Sequence, residues 1–128
     1  MNVPDIRVVP PGPKAREIIK RDEEYLANTT KTSPIVAKRA MGSVIEDVDG
    51  NLILDFTCGI GVVNIGFSHP RVVEAVKHQA GELMHFAGQD YYYDLQARLA
   101  QKLTEITPGN FPKKVFFGNS GRNRSRPP

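Results

Sequence analysis

Two short apolar runs, Val44-Ile45-Glu46-Asp47-Val48 and Leu52-Ile53-Leu54-Asp55-Phe56, stand on either side of Asp49-Gly50-Asn51. β-Prone residues flanking an Asp-Gly turn specify a hairpin, because the turn needs positive φ and glycine adopts it at little cost. Helical signals surround it. Ala15, Ile18, Ile19, Tyr25 and Leu26 recur at helical spacing behind Pro13, which a first turn tolerates, so a helix is predicted from Pro13. Asp22 interrupts its apolar stripe, Pro4, Pro10, Pro11 and Gly12 keep residues 1–12 extended, and the polar stretch from Thr29 to Pro34 ends the helix. Ser68-His69-Pro70 opens a second helix, with Ser68 or His69 as cap, whose Val72, Val73, Val76, Ala80 and Leu83 share one face through to Met84. A third is predicted from Tyr91 to Ile106, with Tyr92, Leu95, Leu99, Leu103 and Ile106 on one face and Tyr91-Tyr92-Tyr93 as an aromatic start packed on the core. Pro108-Gly109-Asn110 ends it. The class is α/β.

Composition narrows the chemistry. With 40% hydrophobic and 24% charged residues the 128-residue chain is that of a soluble globular protein. No apolar run reaches membrane-spanning length and no signal peptide opens the chain, so the expected location is cytoplasmic, without membrane association. One cysteine, Cys58, excludes an internal disulfide framework; it reads as a small buried residue, since no base stands beside it in sequence. Glu46, Asp47, Asp49 and Asp55 fall within ten positions, but strand polar faces and turn chemistry account for them, and no metal site is expected. His69 reads as a cap or turn residue and His78 as solvent-facing. The basic balance, 17 Lys+Arg against 14 Asp+Glu, comes wholly from Arg122, Arg124 and Arg126, which gives no organised nucleic-acid face.

The Gly-containing stretch from Thr57 to Pro70 includes Gly59, Gly61 and Gly66, which mark close backbone approach or positive φ. It is not a dinucleotide fingerprint: Gly59-Ile60-Gly61 lacks the third glycine and the following helix. Near the C-terminus, Val115-Phe116-Phe117 reads as a buried strand and Gly118-Asn119-Ser120-Gly121 as a tight turn delivering the chain to a helix start, where free N–H groups favour an anion. The order Phe-Phe-Gly-Asn-Ser-Gly, with Gly59-Ile60-Gly61-Val62 and Gly66-Phe67-Ser68-His69-Pro70 upstream, resembles the N-terminal part of the class III pyridoxal-phosphate aminotransferases, over about residues 3–121. That family includes 4-aminobutyrate, ornithine and acetylornithine aminotransferases and some amino-acid racemases.

The resemblance implies the N-terminal part of a fold-type I pyridoxal-phosphate transferase, truncated at the start of its large domain. Residues 1–69 would be small-domain and 70–121 the opening of the cofactor-binding domain. Ser120 and Gly121 would bind the phosphate of pyridoxal 5'-phosphate. Ile60 and Gln89 match substrate-pocket positions of 4-aminobutyrate-type members, although Ile60 fits a core isoleucine equally well. The amino donor would be an amino acid such as 4-aminobutyrate or ornithine, the acceptor a 2-oxo acid, and the assembly a homodimer or higher oligomer. None of the eight lysines aligns with the Schiff-base lysine, so no catalytic residue is assigned. After Gly121 the family continues with small residues and Glu-Ala; here Arg122-Asn123-Arg124-Ser125-Arg126-Pro127-Pro128 follows, without an apolar residue and ending in two prolines. Arg-Asn-Arg-Ser-Arg encoded as AGG AAC CGA AGC CGC reads Gly-Thr-Glu-Ala one base out of register. Residues 122–128 are therefore expected to be a frameshifted basic tail, and the chain alone inactive. The alternatives are a racemase of the same family and a non-catalytic, self-associating fragment.

Overall fold

The computed structural model describes residues 2–27, 31–88 and 90–118. They divide into two compact units between Glu82 and Leu83.

In the first unit α1 (Pro13–Tyr25) precedes an antiparallel sheet of β1 (Ala37–Met41), β2 (Val44–Asp47) and β3 (Leu52–Leu54), in the order β1-β2-β3. The predicted hairpin is present, with Val44 opposite Leu54, Ile45 opposite Ile53 and Glu46 opposite Leu52. β1 was not predicted. Its sequence Ala-Lys-Arg-Ala-Met lacks β-branched residues; it is held by pairing with β2 and carries a register shift between Ala37 and Arg39. Lys38 and Arg39 reach across it to the Glu46 carboxylate, which they hold below its usual pKa, Arg39 more than Lys38.

Packing is centred on polar groups. Among the described residues the buried ones are Gly12, Ala15, Asp47 and Asn51. Asn51 Oδ1 accepts the N–H groups of Arg7 (2.7 Å) and Val8 (2.8 Å), while Nδ2 donates to the Val8 carbonyl (2.8 Å) and to Asp47 Oδ2 (2.7 Å). One side chain thus ties the N-terminal segment to the hairpin turn. Asp5 and Leu52 exchange backbone bonds beside it. Asp47 Oδ1 in turn accepts the N–H groups of Asp49 and Asn51. Burial pushes the Asp47 carboxyl up, but these bonds and those from the Asn51 side chain and Gly50 outweigh it, leaving the pKa below the usual carboxylate value.

The start of α1 is capped from a distance. Gly12, its N-cap residue, has no side chain, and the Asp49 carboxylate accepts the N–H groups of Lys14 and Ala15, both at 3.0 Å. A Cβ on Gly12 would lie 2.3 Å from the Asp49 carboxyl carbon, so the glycine makes room for the cap.

The second predicted helix is α3 (Pro70–Glu82), started by the His69 carbonyl, which accepts from Val72 and Val73; Ser68 lies outside it at φ 50°. His78 is exposed, with Nε2 3.7 Å from Glu82, as its polar surroundings predicted.

In the second unit α4 (Asp94–Ile106) begins three residues later than predicted. Tyr91-Tyr92-Tyr93 precede the helix, and Tyr92 is fully exposed at 104%, so the aromatic run is not a core-packed helix start. Tyr91 pairs instead with Phe86, ring centroids 4.8 Å apart. At the other end Lys113 Nζ donates to the Thr107 carbonyl (2.6 Å) and more weakly to that of Thr104 (3.4 Å), placing a cation at the negative helix end.

The expected strand at Val115–Phe117 is not formed. Exposure alternates from Lys113 to Phe116 as in a strand, but the described residues of this unit offer no strand to pair with, and a lone run has no ladder. Val115 and Phe117 line a hollow of about 680 Å³ with the three tyrosines and Gln96.

Candidate functional site

The most unusual backbone lies in the Gly-containing stretch. Cys58, Gly59, Ile60 and Gly61 all have positive φ, at 53°, 60°, 59° and 76°. They form α2 (Cys58–Gly61), a single turn of left-handed sense in which Gly61 N–H donates to the Thr57 carbonyl and Val62 and Val63 N–H to that of Cys58. Left-handed backbone costs a non-glycine residue about 1–2 kcal/mol, and a β-branched residue such as Ile60 adopts it rarely. Strain of this kind persists only where surrounding bonds over-determine it, and it concentrates at functional sites.

The determining bonds come from Asp55. Its Oδ1 accepts the Thr57 N–H (2.8 Å) and hydroxyl (2.6 Å), and its Oδ2 accepts the Gly59 N–H (3.0 Å). The Thr57 hydroxyl, followed by the Thr57 N–H, holds the Asp55 carboxyl below its usual pKa. Asp55 is itself anchored through its N–H to the Ser43 carbonyl at the β1–β2 turn. The sequence reading missed this role because it took Asp55 as a strand polar residue; Asp-x-Thr before a Gly-x-Gly was the available signal.

The turn presents Ile60 outward at 92% exposure, so the core alternative for that residue is not realised in this unit. Phe56, Val62 and Ile65 are exposed around it. Beside them lies a groove of about 420 Å³, lined by Val62, Val63, Ile65, Val72, Val76 and His69. His69 Nδ1 is buried without a hydrogen-bond partner among the described residues. Cys58 is exposed rather than buried: within the left-handed turn it is carried out to solvent. The four carboxylates proposed as ordinary strand and turn groups each have protein partners, Lys38 and Arg39 for Glu46, Asn51 for Asp47, the α1 start for Asp49 and the Thr57 turn for Asp55.

Of the sequence-predicted site residues, Ile60 is placed in the first unit, while Gln89, Ser120 and Gly121 lie outside the described residues. The described residues do not by themselves fit pyridoxal phosphate. A Schiff-base lysine needs a desolvated amine. Lys31, Lys38, Lys77 and Lys102 are instead more than half exposed and paired with Asp22, Glu46, Glu74 and Glu105, and Lys113 caps α4. Among the described residues no helix is long and apolar enough to cross a membrane.

Comparison with known proteins identifies the family. The sequence profile described as "Aminotransferase class-III" matches residues 25–125, and the chain belongs to that family. Among its relatives, the alanine/serine racemase of Pyrococcus horikoshii is 42% identical over 123 residues, covering 94% of this chain and 26% of that protein. The 4-aminobutyrate aminotransferase of Mycobacterium tuberculosis is 38% identical over 112 residues, covering 87% of this chain and 25% of that protein. The crystal structure of acetylornithine aminotransferase from Elizabethkingia anophelis superposes with a TM-score of 0.68 at 30% identity, over 72% of this chain and 24% of that one. The chain spans about a quarter of the length of these relatives. Class III members use pyridoxal phosphate.

Proposed function

We propose that this chain carries the N-terminal quarter of a pyridoxal-phosphate-dependent aminotransferase that moves an amino group from an amino acid such as 4-aminobutyrate or ornithine to a 2-oxo acid. The observation that carries the reading is the class-III match over residues 25–125. In it Ile60 and Gln89 face substrate, and Ser120 and Gly121 hold the cofactor phosphate, with residues 1–69 belonging to the small domain and 70–121 opening the large one. The working assembly is a cytoplasmic homodimer or higher oligomer. A racemase is the second reading, favoured by the 42% identity to the Pyrococcus enzyme over nearly the whole chain.

The 128-residue chain alone is inactive in this reading, because no described lysine has the required environment and residues 122–128 read as a frameshifted tail. Ala15 is the one hydrophobic side chain buried among the described residues, while Phe56, Ile60, Val76 and Leu99 are exposed, so the isolated chain should self-associate. Mixed with pyridoxal phosphate and reduced with borohydride, the chain should carry label scattered thinly over surface lysines and transfer no amino group. Stoichiometric labelling of one lysine would overturn this. The gene sequence past codon 128 tests the tail: an open Gly-Thr-Glu-Ala continuation supports the frameshift, and its absence from every frame removes it. With the reading frame restored, amino-group transfer to a 2-oxo acid against loss of configuration at the amino acid's α-carbon separates aminotransferase from racemase.

A further inference from the structure

We propose that Asp55 is the positioning residue of the Ile60 turn: its carboxylate holds residues 58–61 left-handed and so fixes where Ile60 meets a substrate's side chain. The substrate half of this statement rests on the reading of Ile60 given above; the conformational half stands on geometry. A run of four positive φ values containing Cys58 and Ile60 is disfavoured by its own backbone. Within the turn the opposing bonds are three backbone ones and a long contact of 3.4 Å from Ile60 N–H to the Thr57 hydroxyl. Asp55 adds three charge-assisted bonds, and they reach both ends of the entry into the turn, Thr57 before it and Gly59 within it. Its carboxylate therefore bridges the point where the chain changes hand. Without it, residues 58–60 would relax toward the right-handed region and Ile60 would point elsewhere.

The test uses the full chain, isotope-labelled, with amide exchange at Gly61, Val62 and Val63 and HN–Hα couplings reporting φ at Cys58 and Ile60. Asp55→Ala should accelerate exchange at those amides about tenfold or more and move the couplings away from the left-handed value. Asp55→Asn keeps an oxygen for Thr57 but turns an N–H₂ toward the Gly59 N–H, so it should fall between Ala and wild type. Ile60→Gly added to Asp55→Ala should recover part of the lost protection, because it removes the strain at one of the two non-glycine positions the carboxylate holds left-handed; a residue serving general stability would show no such rescue. Unchanged Asn51 and Leu52 exchange in each variant shows that the fold persists, and if Asp55→Ala unfolds, Asp55→Asn and the double variant carry the test. Left-handed couplings retained in Asp55→Ala, or no rescue by Ile60→Gly, would overturn the proposal. Failure of the Ile60 reading shows separately, in the protein with its reading frame restored: the KM for the amino donor would then be the same in Ile60→Ala as in the parent, with the couplings of the Asp55 variants unaffected by that result.

Discussion

Two aspartate-built turns lie a few residues apart in the first unit and are put to opposite uses. At the hairpin, Asp47 and Asp49 direct their carboxylates inward, and with Asn51 they join the N-terminal segment, α1 and the sheet. At the second turn Asp55 directs its carboxylate onto a solvent-exposed loop and holds it in a backbone form it would not choose. The first arrangement has few alternatives because every polar atom at its centre is used. The second stores strain and displays an apolar side chain. Similar hydrogen-bond chemistry thus gives rigidity where it is buried and a presented, conditional geometry where it is exposed.

The comparison breaks most sharply at Asn51. Asn51→Ala leaves two N–H groups, a carbonyl and a carboxylate oxygen unpaired in a buried place, so a loss of about 3 kcal/mol or more is expected, read as collapse of amide protection throughout the first unit. Protection retained within a few-fold of wild type would show that water replaces the side chain. Asp49→Ala removes only the remote cap of α1 and should cost about 1–2 kcal/mol, with faster exchange confined to the first turn of that helix.

Acid should separate the two turns by what it releases. The Asp47 and Asp55 carboxyls both have lowered folded-state pKa values, so each contributes fully above the ordinary carboxylate pKa of about 4 and loses its contribution as pH falls through the lowered value. Loss of Asp47 should appear as global loosening and loss of Asp55 as exchange confined to Gly61–Val63. Protection factors, with the intrinsic pH dependence of amide exchange divided out, that stay flat from neutrality to below both values would contradict this assignment. The smallest effect is expected from Ile60→Gly, where relief of left-handed strain of about 1–2 kcal/mol is offset by glycine's entropy cost of about 0.5–1 kcal/mol. A net gain of about 0–1.5 kcal/mol, measured as slower exchange of Val62 and Val63, is the expected outcome; a loss would mean that the isoleucine side chain itself anchors the turn.

What sequence made legible follows from the range of the interactions. The hairpin, α1 and α3 are written in local patterns, an Asp-Gly turn and apolar spacing, and they form as predicted. β1 depends on a partner strand and left no local mark. Val115–Phe117 is the converse case, a strong local mark without a ladder among the described residues. The start of α4 was misplaced because tyrosines at helical spacing satisfy a pattern that the chain does not fold into. At the candidate site, resemblance pointed to Ile60 but not to Asp55, since motif matching weighs a residue's identity and not the φ angles its neighbour must sustain.

The Asp49-Gly50 pair has a consequence on the scale of a protein's working life. Asp-Gly is a sequence prone to spontaneous isomerisation, in which the glycine nitrogen attacks the aspartyl carboxyl to close a succinimide ring. Here that carboxyl is engaged by Lys14 and Ala15, and the Gly50 N–H is turned to the Asp47 carbonyl at 3.2 Å. Attacking and attacked groups are both occupied, so chemical ageing at this bond requires the hairpin to open first. The chain's calendar lifetime at Gly50 is thereby coupled to its folding equilibrium, and isoaspartate should accumulate faster in Asn51→Ala than in the parent chain.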